Sequence, residues 1–369
     1  MGPRKGKAAK STKKGKNASK STAASVDDLL AKTQELMDDN KYEAALKYAV
    51  KAIDQDERNT QALLLAAIIQ LESDSIEPAI NCLLRCVEIE PDRGFEKYMY
   101  LGQLMVELES VKYFQLGVNA MQRDLDELPA GSALAAVLKR KMAEAYVAMT
   151  EIYLTDCCFE EDAEKRCEEL LENGAKVDPD CPEVYQTMAS VRLSQNRIDD
   201  AHTCLQKSMA LWANKDQNEL SQIPSFETRL ALVRLLLEVD DKEQALYILE
   251  RLQKEDDESI DVWYLYGWTY HLQSEEGREG DEKIELLRSA RECFNQAIKL
   301  ARLLDYENDG LIDHARELIA AIDAAVPTSA ADDEDNDEAA GNSGDQPGNA
   351  EDINWEDTES SDGDVEMGA

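Results

Sequence analysis

The sequence predicts an all-α chain in which pairs of helices repeat and stack into a solenoid. Three observations predict it. Apolar residues recur at i, i+3, i+4 and i+7 through most of residues 26–326, the signature of amphipathic helices. Only nine prolines interrupt 369 residues, and runs of β-branched residues are scarce. A pattern of small residues also returns 34 positions on, and a fixed period of that size marks a repeat array.

The repeat is easiest to follow in the second helix of each pair. In KYEAALKYAVKAIDQDE, Ala45, Ala49 and Ala52 stand at offsets 0, 4 and 7, with Glu57 at offset 12. Ala79, Leu83, Cys86 and Pro91 hold the same offsets in the second unit. Cys167, Leu171, Gly174 and Pro179 do so in the fourth, and Ala201, Leu205, Ser208 and Ala213 in the fifth. Small residues there let neighbouring helices approach closely, and the residue at offset 12 ends the helix.

The first helices carry a bulky residue at position 4, a large–small pair at 7 and 8, and a bulky residue at 11. The third unit supplies Tyr98, Leu101, Gly102 and Met105, and the seventh Trp263, Tyr266, Gly267 and Tyr270. Period and pattern together are those of the tetratricopeptide (TPR) repeat. Seven units are predicted, with first helices starting near residues 26, 60, 95, 143, 182, 226 and 260. Position 8 is small at Thr33, Ala67, Gly102, Thr150, Ala189 and Gly267, with Val233 as a departure. The period is broken by a separate helix at 132–142 and by insertions around 212–224 and 273–285. A last helix, Leu311 to Ala325, has no partner and is expected to cap the stack, as solenoid ends require.

The predicted organisation is thus a TPR superhelix over 26–326 between two disordered segments. Residues 1–25 hold eight Lys or Arg and no acid; residues 327–369 hold fifteen Asp or Glu and no base. Neither buries enough apolar surface to offset chain entropy. The basic start reads equally as a nuclear localisation signal or a solvated tail. The body between is itself strongly acidic within a formal net charge of −37. Such a field attracts basic partners and repels nucleic acid and anionic membranes, so no direct nucleic-acid or membrane partner is expected. No secretory segment and no long apolar run is present. The eight cysteines lack C-x-x-C spacing and read as reduced thiols of the cytosol or nucleus.

Phosphate-binding, dinucleotide-binding and zinc-protease motifs are absent, and His202, His271 and His314 lie far apart. The chain is therefore expected to be a non-enzyme without cofactor or metal. The Lys and Asn residues of the carboxylate clamp that grips chaperone C-termini are also missing from the groove positions.

In a TPR array the first helices line a concave groove, with positions 2, 5, 9 and 12 pointing into it. Position 2 reads Asp27, Gln61, Glu96, Glu144, Glu183, Glu227 and Asp261. Acids near a helix start also favour the helix dipole, by about 0.3–1 kcal/mol each, so this pattern alone has two readings. Glu107, Glu151, Asp156 and Glu238 stand further along their units, where the dipole offers no explanation, and favour an acidic groove. Tyr264 and Trp268 sit at positions 5 and 9 of the seventh unit, on one helical face. They suit a cationic segment through cation–π contacts, unless the 273–285 insertion or the capping helix folds over them.

The stretches TDCCFEEDAEKRCEELLENGAKVDPDCPEVYQTMASVRLSQNRIDDA and FETRLALVRLLLEVDDKEQALYILERLQKEDDESIDVWYLYGW resemble the fungal TPR family of assembly chaperones dedicated to the universal large-subunit ribosomal protein four. The likeness covers about 26–325, is densest over 146–270, and extends to the basic start and acidic tail. The resemblance implies capture of that newly made basic protein by its long internal loop, escort from cytoplasm to nucleus and release on the pre-60S particle. A nuclear import receptor is a candidate second partner, and a capped solenoid suggests a monomer. A TPR histone chaperone and a plain scaffold are the alternatives. Histone chaperones of this class carry a long acidic insertion within a repeat, whereas here the acid run is terminal.

Overall fold

The structure, a computed structural model, describes residues 24–129, 131–215, 223–304, 306 and 308–326. The predicted disordered segments lie outside the described residues, apart from Ala24 and Ser25. Among the described residues there are fifteen helices and no strand. Fourteen form pairs: α1 (Val26–Asp38) with α2 (Tyr42–Gln55), α3 (Thr60–Leu71) with α4 (Ile76–Ile89), α5 (Glu96–Leu104) with α6 (Glu107–Glu127), and α7 (Ala133–Leu154) with α8 (Ala163–Val177). The series continues with α9 (Pro182–Ser194) and α10 (Ile198–Ala210), α11 (Phe226–Glu238) and α12 (Lys242–Glu255), and α13 (Ile260–Glu275) and α14 (Asp281–Leu303). The unpaired α15 (Asp309–Ala325) closes the stack against α14. This is the predicted all-α TPR solenoid of seven helix pairs and a cap.

The helix predicted separately at 132–142 is not separate. It is the first half of α7, capped by Ser132, whose side chain accepts from the Ala135 amide at 3.2 Å. Residues 133–154 contain neither Gly nor Pro and consist largely of strong helix formers, so nothing breaks the chain at Met142.

The offsets read from the sequence are the core. Ala45, Ala49, Ala52, Ala79, Leu83, Cys86, Cys167, Leu171, Ala201 and Leu205 are all buried. Position 8 of every first helix is buried too, and Val233, a departure by sequence, is as fully enclosed as Ala67 or Ala189. At Gly102 and Gly267 the requirement is strict. A Cβ would stand 2.8 Å from the Phe114 ring at the first and 2.7 Å from Phe294 at the second.

Four of the turns inside a pair are the same turn. Asn40, Asp74, Asn196 and Asp240 have φ of 57°, 55°, 58° and 65°. Asn and Asp tolerate this left-handed region best after glycine. The next residue's amide then reaches back to the helix, from Lys41 to Leu36, Ser75 to Gln70, Arg197 to Arg192 and Asp241 to Leu236, each at 2.8 Å. That bond ends the first helix as a Schellman cap and reverses the chain into the second.

Close contacts also run between first helices of successive repeats, α1 with α3, α7 with α9, α9 with α11 and α11 with α13. No contact of like extent joins successive second helices among the described residues. The first helices therefore form the inner wall of the curve.

Candidate functional site

The middle of that inner wall is acidic. Glu144 and Glu151 lie two turns apart on α7, hence on one face, and both side chains are exposed. Burial of their surroundings nevertheless raises both carboxyl pKa values. A carboxylate that is open to solvent yet partly desolvated is what a concave wall produces, because protein mass replaces water on the flanks. Glu183, half-buried on the adjoining α9, raises the Glu144 carboxyl further by like charge. The Cys181 thiol donates to Glu183 Oε2 at 3.3 Å and fixes its orientation. Arg140, the nearest guanidinium, is already committed: its Nε donates to Asp178 Oδ2 and its Nη2 to the Asp180 carbonyl at 2.9 Å. None of Glu144, Glu151 and Glu183 has an ion-pair partner among the described residues. A positive charge brought beside them would offset the desolvation of Glu144 and Glu151 and the repulsion between Glu144 and Glu183.

The other predicted groove acids divide. Glu96 opens α5 as an exposed side chain with no ion pair among the described residues. Glu227 does the work of a helix start: bonds from its own amide and the Ser225 hydroxyl lower its carboxyl pKa, the dipole-and-cap reading. Asp261 is not free, since Arg234 Nη2 lies 2.7 Å from Oδ1 and the Tyr306 hydroxyl donates to Oδ2 at 3.0 Å. Glu238 is the exposed last residue of α11. Two placements are corrected outright. Glu107 is not deep in a first helix; α5 stops at Leu104 and Glu107 is the first residue of α6, with φ of 53°. Asp156 lies beyond α7, in the turn before α8. Both belong to the edge of the solenoid rather than to its wall.

Tyr264 and Trp268 also require correction. They share a face of α13 as expected, but α15 packs over that face. The Tyr264 hydroxyl bonds His314 Nδ1 at 2.7 Å, and the ring lies 5.8 Å from Phe294. Trp268 stands 5.5 Å from the His314 ring and 5.7 Å from that of His271. Both remain half-exposed, so they form the seam between the last repeat and its cap. Tyr266 is core, whereas Trp263 and Tyr270 are only half-buried.

Among the described residues no group of His, Cys, Asp or Glu could hold a metal ion, and no helix is long and apolar enough to cross a membrane. Burial pushes the thiols of Cys86 and Cys167 up to about 11 and those of Cys181 and Cys293 up to about 12, so these cysteines are neutral packing groups.

No family model matches the chain. Individual proteins do. The "probable assembly chaperone of rpl4" of Schizosaccharomyces pombe is 31% identical over 324 residues, which is 85% of this chain and 94% of that protein. The protein of the same description from Emericella nidulans is 34% identical over 334 residues, 83% of each. Among solved structures, the assembly chaperone of RpL4, Acl4 (residues 1–338), superposes with a TM-score of 0.64 at 33% identity, covering 69% of this chain and 98% of that one. An acidic inner wall on a capped TPR solenoid and these likenesses over most of both lengths lead to one assignment: the chain belongs to the family of rpl4 assembly chaperones.

Proposed function

We propose that this protein is a dedicated chaperone of the large-subunit ribosomal protein rpl4, holding a basic, extended segment of it against the inner wall of the solenoid. Family membership supports the client. The observation that carries the mode of binding is the triad of exposed Glu144 and Glu151 and half-buried Glu183 on the wall, none in an ion pair among the described residues. A ribosomal protein segment destined to thread through rRNA is cationic and unfolded when free. The carboxylates neutralise it before assembly, and rRNA phosphates compete for the same cations at delivery. The client segment is its long internal loop, and the route runs from cytoplasm to nucleus with an import receptor as second partner. The protein works as a monomer and carries out no catalysis.

The test is a solubility assay at physiological salt with purified components. An equimolar amount of this protein is expected to keep rpl4 in the supernatant after centrifugation while leaving core histones unprotected. Equal protection of both would replace a dedicated chaperone with a general acidic one, and protection of neither would remove the function.

A further inference from the structure

Phe159 is 97% exposed, more than any other large apolar side chain among the described residues. It is not alone on its edge. Helices α6 and α7 are consecutive, of nearly equal length and packed together. The short turn between them makes them antiparallel, so the start of α6 lies beside the end of α7. Val106, 70% exposed, and Leu108, 46% exposed, flank Glu107 at the start of α6. Phe159 lies in the turn that follows α7. Burial raises the Cys157 thiol most and the charge of Glu107 raises it further, in keeping with the antiparallel placement of the two turns.

The turn is held in place. The Cys157 amide donates to the Ile152 carbonyl at 2.9 Å, Glu160 to Cys157 at 3.1 Å and Ala163 to Glu160 at 3.1 Å. The Cys157 side chain is buried as its anchor, and Phe159 is presented outward two residues later. Glu107 lies between Val106 and Leu108 in the chain, and Asp156, Glu160 and Glu161 lie within three residues of Phe159; all four are exposed and none is in an ion pair among the described residues. Asp162 is the exception, with Arg166 Nε at 2.8 Å.

We propose that this edge, Val106, Leu108 and Phe159 with neighbouring carboxylates that form no ion pair among the described residues, is a second docking surface, separate from the inner wall. Its occupant is a client segment that carries an aliphatic or aromatic side chain beside Lys or Arg. The inference rests on the client assignment above. Charge selects the occupant: a second copy of a chain with formal net charge −37 is repelled, and so is nucleic acid. A cationic segment gains from the carboxylates while its apolar side chain covers Phe159, the arrangement of a buried anchor with a charged rim.

Site-specific photo-crosslinking of the full chain to purified rpl4 tests this. Phe159→p-benzoylphenylalanine, at a side chain so exposed, leaves the fold intact. It is expected to crosslink rpl4 as efficiently as the same group at Glu151 on the inner wall, and well above the level at Glu88 on the second helix α4. Crosslinking at 151 but only background at 159 overturns the edge and leaves the groove standing. Crosslinking at 159 but not 151 supports the edge and removes the groove, and background at both removes both. In solution, the double variant Val106→Ser, Phe159→Ser is expected to bind rpl4 about tenfold more weakly, the loss of one buried anchor, with an unchanged circular dichroism spectrum. Unchanged affinity contradicts the proposal.

Discussion

Gly102 and Gly267 sit where a second helix presses a phenylalanine ring against the first, and neither can gain a methyl group without displacing that ring. Gly102→Ala and Gly267→Ala are each expected to cost about 1–3 kcal/mol, the usual penalty of overpacking, read from denaturant unfolding. Ala67→Gly at the same repeat position makes a cavity rather than a clash and serves as a comparison. Glu151 gives the opposite sign. Its carboxyl pKa is raised above the ordinary glutamate value of 4.5 by burial, so the unfolded chain loses that proton first. Stability therefore falls as pH rises from about the ordinary value through the raised one, and the penalty is complete above it. Glu151→Gln should raise the melting temperature at pH 7 and make no difference at a pH below the ordinary value. A melting temperature lowered at pH 7 would mean that the carboxylate is structurally satisfied and not held ready for a ligand. The buried columns and the position-8 residues were legible in the sequence because packing at fixed offsets restricts residue size. Desolvation of Glu151 was not, because it depends on neighbouring helices.

At the scale of elements, the recurrent turn explains how the chain reverses within a pair. Asn196→Gly should be close to neutral, whereas Asn196→Val should cost about 1–2 kcal/mol, since a β-branched residue resists the left-handed region. Equal effects of the two would show that the Schellman geometry does not persist in solution. Asn40, Asp74, Asn196 and Asp240 are of residue types that favour turns, but the handedness that unites them needed the backbone. The capping helix shows a different limit. Its existence follows from an unpartnered amphipathic stretch, yet its seat over Tyr264 and Trp268 depends on His314, fifty residues from Tyr264. Tyr264→Phe, which deletes only the bond to His314, is expected to loosen α15 by about 1 kcal/mol, measured as faster amide exchange over residues 311–325 with little change elsewhere.

For the whole molecule, helix polarity and curvature decide what the acidic residues do. Six of seven position-2 residues are acids, and periodicity alone could not divide them into dipole, internal-pair and groove roles. The structure gives Glu227 to a helix start and Asp261 to Arg234 and Tyr306, and leaves Glu144 and Glu151 exposed, with Glu183 half-buried beside them, at the middle of the wall. Glu107 and Asp156 were misplaced because α5 stops at Leu104 and α7 at Leu154, so both residues fall beyond the first helix on which they were read. Capture by an acidic wall should also weaken steeply with salt, as surface electrostatics are screened over about 10 Å at 0.1 M.

The most direct measurement is the affinity of purified rpl4 for the triple variant Glu144→Lys, Glu151→Lys, Glu183→Lys, beside the unmodified protein, by calorimetric titration at physiological ionic strength. Loss of detectable binding, with the melting transition retained, is the result predicted if these carboxylates receive the client. An unchanged dissociation constant would contradict an acidic inner wall as the binding site.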